Sequence, residues 1–146
     1  MGASGWHYHV PYRADLQAAL DDLRRATFAE GDYYWPYEGH GEPRPRPSTV
    51  EDLFADEWIQ ECGTHSVLDV HRVIGPADAS ESGTVKPIAA DEAYHHTGRM
   101  RLRRADKESV DEIVEMTVRG WAGRCAILHD AAGEPVEIYF SGISGD

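Results

Sequence analysis

A chain of 146 residues with 41% hydrophobic and 27% charged side chains has the size and composition of one globular domain, and it needs no metal or disulfide staple to fold. Its 26 acidic against 14 basic residues, a net charge of −12, exclude nucleic-acid binding by the surface as a whole and suit solubility or a cationic partner. No apolar run approaches the ~20 residues of a membrane span, no secretory signal is legible, and Cys62 and Cys125 make no disulfide framework, so the expected setting is a reducing cytoplasm.

Trp6, Tyr8, Val10 and Tyr12 alternate with His7 and His9, which predicts a first strand over about 5–12. Pro11 places the end of that strand at a sheet edge or outside the sheet. Leu16, Ala19, Leu20, Leu23 and Thr27 recur at helical spacing and predict a helix over 13–30, with Asp15 near its start and Gly31 at its end. A long connection follows, 31–47. It holds Tyr33-Tyr34-Trp35-Pro36-Tyr37 and the extended run Pro43-Arg44-Pro45-Arg46-Pro47. Four aromatics in five positions argue against disorder. They either cover one end of the core or contact a ligand or partner, so Tyr33, Tyr34, Trp35 and Tyr37 are candidate binding residues.

Ser48-Thr49-Val50-Glu51 reads as a capping box with Ser48 as N-cap, opening a helix over 48–60 that buries Val50, Leu53, Phe54 and Trp58. The stretch 65–74 is rich in β-branched residues, stops at Gly75-Pro76, and predicts a central strand. Its even positions carry Ser66, Leu68, Val70, Arg72 and Ile74; its odd positions carry His65, Val67, Asp69, His71 and Val73. Pro76 to Lys86 reads as a solvated loop, and a short helix is expected over 90–97, stopped near Gly98. Five basic residues fall between 99 and 107, either a solvated connector that pairs with nearby acids or a strip for phosphate or a carboxylate-rich surface. Val110, Ile113, Val114, Thr117 and Trp121 mark a helix over 106–119. Two strands, 123–129 and 135–142, then form a hairpin through 130–134.

The sum is a single α+β domain, 1–146, with an antiparallel sheet of about four strands and helices packed mainly on one face. The other face would collect His7, His9, His65, Asp69, His71, Glu137 and Tyr139. In an enzyme, Asp69, His71 and Glu137 would do acid–base work. With a divalent metal such as zinc, His7, His9, His65 and His71 would be the ligands. The competing reading is a wet sheet face that needs no cofactor, and no HExxH, paired Cys-x-x-Cys or nucleophile elbow is present.

Three stretches, Gly5-Trp6-x-Tyr8-x-Val10-Pro11-Tyr12, Gly63-Thr64-x-Ser66-x-Leu68-Asp69 with Arg72, and Glu137-Ile138-x-Phe140-x-Gly142, resemble a group of small uncharacterised actinobacterial proteins. The resemblance lends no activity. It implies that the histidines at 7, 9, 65 and 71 are private to this chain and that Asp69 and Arg72 form a buried ion pair or a site. The leading functional expectation is an acidic binding protein whose partner is another protein, immunity-like or regulatory, using the aromatic segment and Arg72. The alternatives are a small enzyme, metal-dependent or not, and a small-molecule sequestering protein. Neither nucleic acid nor a membrane is an expected partner, and the oligomeric state is open.

Overall fold

The computed structural model describes residues 3–39 and 41–145. It is an α+β fold around a five-stranded mixed sheet of order β1-β5-β4-β3-β2. The strands are β1 (Ser4–Pro11), β2 (Arg72–Val73), β3 (Thr84–Pro87), β4 (Ala122–His129) and β5 (Pro135–Ser144). The helices are α1 (Leu16–Glu30), α2 (Val50–Phe54), α3 (Glu57–Cys62), α4 (Ala90–Thr97) and α5 (Lys107–Thr117). β5 runs antiparallel to both of its neighbours, β1 and β4, whereas β2, β3 and β4 are mutually parallel. The expected four-stranded antiparallel sheet is therefore corrected to a mixed sheet. The parallel step from β3 to β4 requires a long crossover, and α4 and α5 supply it.

Helices cover both faces, not mainly one. Trp6, Val85, Cys125, Ile138 and Phe140 pack under Ala19 and Leu20 of α1. On the reverse face Ala126, Leu128 and Tyr139 pack under Ala93 of α4 and Val110 of α5. The sequence of β4 requires this, because Ala126 and Leu128 are as apolar as Cys125 and both sides need a cover.

α1 starts at Leu16 rather than at residue 13, because the Asp15 carboxylate caps it, accepting from Ala18 N at 3.0 Å; it ends as expected at Gly31, in the left-handed region. The single helix expected over 48–60 is two. Thr49, not Ser48, caps α2, accepting from Asp52 N at 3.1 Å. Asp56 then caps α3, accepting from Trp58 N at 2.9 Å and Ile59 N at 3.2 Å. A short acceptor side chain at that point competes with helix continuation and breaks it.

The largest correction concerns 65–74. Only Arg72–Val73 is strand; Val67–Asp69 is a turn of 3-10 helix. Ser66 Oγ accepts from Leu68 N, and Asp69 accepts from Thr64 N, so polar side chains offer the backbone a tight turn in place of a ladder. Val67, Leu68 and Val70 are all buried. The central place is taken by β4, and β3, at Thr84–Pro87, lies almost wholly inside the stretch expected to be loop.

Tyr33, Trp35, Leu53, Ile59 and Leu68 form a second, smaller core beside the sheet. The extended 43–47 run straps it: Trp35 Nε1 donates to Arg44 O at 2.9 Å, and the Arg46 guanidinium lies 4.5 Å from the Tyr33 ring centre. Among the described residues no helix is long and apolar enough to cross a membrane.

Candidate functional site

Register fixes what each side of β1 presents. The Tyr12 N–H donates to Val136 O at 3.1 Å, so the backbone groups of Val10, Tyr8, Trp6 and Ser4, at the same parity, also point at β5. The N–H groups of Gly5, His7 and His9, and their carbonyls with that of Pro11, point outward from the sheet. β1 is an outermost strand, and no described residue bonds these groups. Pro11 falls in the outward set, where its missing N–H removes no ladder bond. The result is a free edge with three donors and four acceptors in line.

The two sides of that edge differ. Towards α1, a groove of about 340 Å³ is walled by Val10, Tyr12, Ala19, Leu23 and Ala26, with the Arg13–Asp22 ion pair also in its lining. On the reverse side His7 and His9 are exposed, and the His7 ring centre is 6.1 Å from that of Tyr139. Val10, Tyr12 and Leu23 are only half-buried, so the groove offers apolar surface that the core does not consume.

The face expected to collect seven polar residues is half realised. His9 pairs with Tyr139 and Pro11 with Glu137 in the register, so His7, His9, Glu137 and Tyr139 do share one side. The turn at Arg104–Asp106 and α5 then engage the inner two. Arg104 donates to Glu137 Oε2 at 3.1 Å and Lys107 Nζ lies 3.3 Å from Oε1. Burial works against the Glu137 charge, but the hydrogen bonds from Lys107 and Arg104 win and hold its carboxyl below the usual range. A carboxylate stabilised in this way is a weak general base. The Tyr139 hydroxyl donates to Asp111 at 2.9 Å, and burial together with that carboxylate pushes its titration far up. Ser141 Oγ donates to the same Asp111 oxygen at 2.8 Å.

The other members lie elsewhere. Asp69 accepts from Thr64 N and Thr64 Oγ1, both at 2.9 Å, and from Ser144 Oγ at 2.5 Å, which ties the 64–69 turn to the end of β5. His65, at φ 51°, bonds the Ser4 hydroxyl and meets Tyr34 edge-on. Ser4 has the parity of Trp6, so His65 is on the face opposite His7 and His9. His71 is exposed beside Gly83, next to β2 at the far edge of the sheet. Four strand spacings, about 19 Å, separate that edge from β1. The histidines named for a metal, His7, His9, His65 and His71, are thus dispersed, and among the described residues no three His, Cys, Asp or Glu side chains gather as a metal set. Asp69 and His71 line a pocket beside Trp121, and Glu137 is not part of it. Arg72 pairs with Glu81 at 2.5 Å in solvent rather than with Asp69.

Of the aromatic segment, Tyr33 and Trp35 are buried and Tyr37 donates to Asp56 at 2.8 Å; Tyr34 keeps about half its surface, 47%, exposed. The segment works chiefly as a cover for the smaller core. Sequence reasoning did not find the groove, because its walls come from two elements whose packing the sequence does not state. Pro11 was the one available signal of the edge. Comparison with family models, with curated proteins and with solved structures finds no match to the chain.

Proposed function

We propose that this is a protein-binding protein that captures an extended, basic segment of its partner by strand addition along β1. The observation that carries this reading is the unpaired row of Gly5, His7 and His9 amides beside an apolar groove. Strand addition takes affinity from main-chain hydrogen bonds and specificity from pockets for alternate side chains, and both requirements are met side by side here. The net charge of −12 favours a cationic segment and speeds its encounter. The partner segment would therefore carry apolar residues at every second position, entering between Val10 and Leu23, with Lys or Arg between them.

Selection from a random linear-peptide library tests this. The expected binders alternate apolar and basic residues, and Leu23→Glu, which charges the groove at a half-buried position, abolishes their binding. Binders with no alternation, or binders indifferent to Leu23→Glu, would overturn the reading.

A further inference from the structure

β4 loses its neighbour part-way along. The last bond on its β3 side is Ile88 N–H to Cys125 O at 2.9 Å; the next is His129 N–H to Leu102 O at 2.7 Å, beside the Arg103–His129 bridge. In the gap between them lies a cavity of about 170 Å³, walled by Leu16, Ile88, Ala93, Met100, Leu102 and Ile127. It is at the carboxyl end of β3, where the parallel strand gives way to α4, a position at which open sheets with parallel strands leave a crevice.

Met100 and His129 belong both to this cavity and to a wider depression of about 490 Å³. Arg99, Arg101 and Arg103 line the depression. Arg99 is committed to Asp106, donating from Nε at 3.2 Å as well as from Nη2. Arg101 and Arg103 form no ion pair among the described residues, although the chain has 26 acids for 14 bases. Arg101 lies over the Gly133 turn, its Nη1 3.2 Å from where a Cβ would stand. Asp130 is also in the depression, and one of its oxygens accepts from Ala132 N at 3.0 Å and Glu134 N at 2.9 Å.

We propose that this crevice binds a small amphipathic carboxylate, with its head between Arg101 and Arg103 and its apolar body in the cavity. The guanidinium fork matches a planar carboxylate. The Asp130 charge beside it disfavours a phosphate dianion. A cavity of about 170 Å³ accommodates one aromatic ring or a short branched chain, since apolar cavities of about 150 Å³ are known to hold benzene. The site uses none of the β1 residues, so it stands or falls apart from strand addition.

Benzoate and isovalerate are the probes, with acetate (head without body) and benzyl alcohol (body without head) as controls, read by calorimetry and by NMR shifts of the Met100 methyl and His129 ring. Saturable binding of benzoate or isovalerate, stronger than either control, is expected. The Arg101→Ala/Arg103→Ala double variant should weaken it about tenfold or more, since it removes charge-assisted hydrogen bonds. Met100→Glu, at a position 65% exposed and therefore tolerant, should weaken it too by placing a like charge at the mouth. Benzoate and isovalerate binding no better than the controls, binding unchanged in the double arginine variant, or shifts confined to other residues would each overturn the proposal.

Discussion

Arg124 offers the sharpest test of how the reverse face is held together. Its side chain is 3% exposed, and all five guanidinium N–H groups have acceptors: Lys86 O, Pro87 O, Thr117 Oγ1 and both oxygens of Glu92. These partners join β3, α4 and α5 to β4, so one side chain staples the crossover to the sheet. Glu92→Gln removes the one carboxylate that pairs with Arg124 among the described residues and leaves the guanidinium buried. Breaking a buried pair from one side costs about 3–5 kcal/mol; Glu92 keeps 25% of its side chain exposed, which places this case at the lower end, about 3 kcal/mol. Against a total of about 5–15 kcal/mol this is a large loss, and at about 2 kcal/mol per molar urea it lowers the unfolding midpoint by about 1–2 M. The Arg124→Met/Glu92→Leu double variant, which removes both charges, should recover most of that loss. The acid limb gives an independent check. Burial raises the Glu92 carboxyl, but the hydrogen bond and charge of Arg124 outweigh it and the net shift is downward. A depressed folded value contributes stability that is present above the unfolded value, about 4.3, and is lost as pH falls through the folded one. The gap between native protein and Glu92→Gln should therefore close as the solution is acidified below about pH 4. Urea titrations at several pH values measure all of this. A midpoint shift corresponding to less than about 0.5 kcal/mol, or a double variant weaker than the single, would refute the reasoning.

Three further outcomes follow from packing and burial. Gly142→Ala would set its Cβ 2.2 Å from the Trp6 ring, so it should cost about 1–3 kcal/mol by overpacking, with a shift in tryptophan emission, and Trp6→Leu should relieve much of the cost. The Cys125 thiol is pushed up to about 12 by burial, with Arg124 opposing only in part, whereas Cys62 is partly exposed. A thiol reagent near neutral pH should thus label one cysteine in the native protein and two in urea. Tyr139→Phe should cost about 1 kcal/mol by taking one donor from Asp111, and it should remove a phenol that ionises later than an ordinary tyrosine. Because burial and Asp111 favour the neutral phenol in the fold, that contribution is present below about pH 10 and is lost above it, as an absorbance titration will register.

Local signals carried most of the helices and the three strands of the antiparallel side of the sheet. α1 announced itself by Asp15, its apolar spacing and Gly31, and the β4–β5 hairpin by alternation around a glycine turn. Of the two readings that Pro11 allowed, a sheet edge or an exit from the sheet, the edge is the one found. The stretch 65–71 misled because Val67, Leu68 and Val70 have β-branched or apolar side chains, while the deciding groups are the hydrogen-bonding side chains of Thr64, Ser66 and Asp69. β3 was hidden because its four residues follow a long polar loop and take their strand state from β2 and β4 on either side. For the candidate site, parity on β1 and β5 was legible and brought His7, His9, Glu137 and Tyr139 to one side. Parity could not say that Arg104 and Lys107 would neutralise Glu137, nor that the useful surface would be the backbone edge beside α1.

Residue-resolved amide exchange of β1 tests the free edge most directly. In the free protein the amides of Trp6, Tyr8 and Val10 should be protected by β5, while those of Gly5, His7 and His9 exchange at nearly the rate of an open chain. A bound alternating peptide should then protect His7 and His9 as well. Slow exchange at His7 and His9 before any peptide is added, or exchange there that a saturating peptide leaves unchanged, would contradict strand addition at β1.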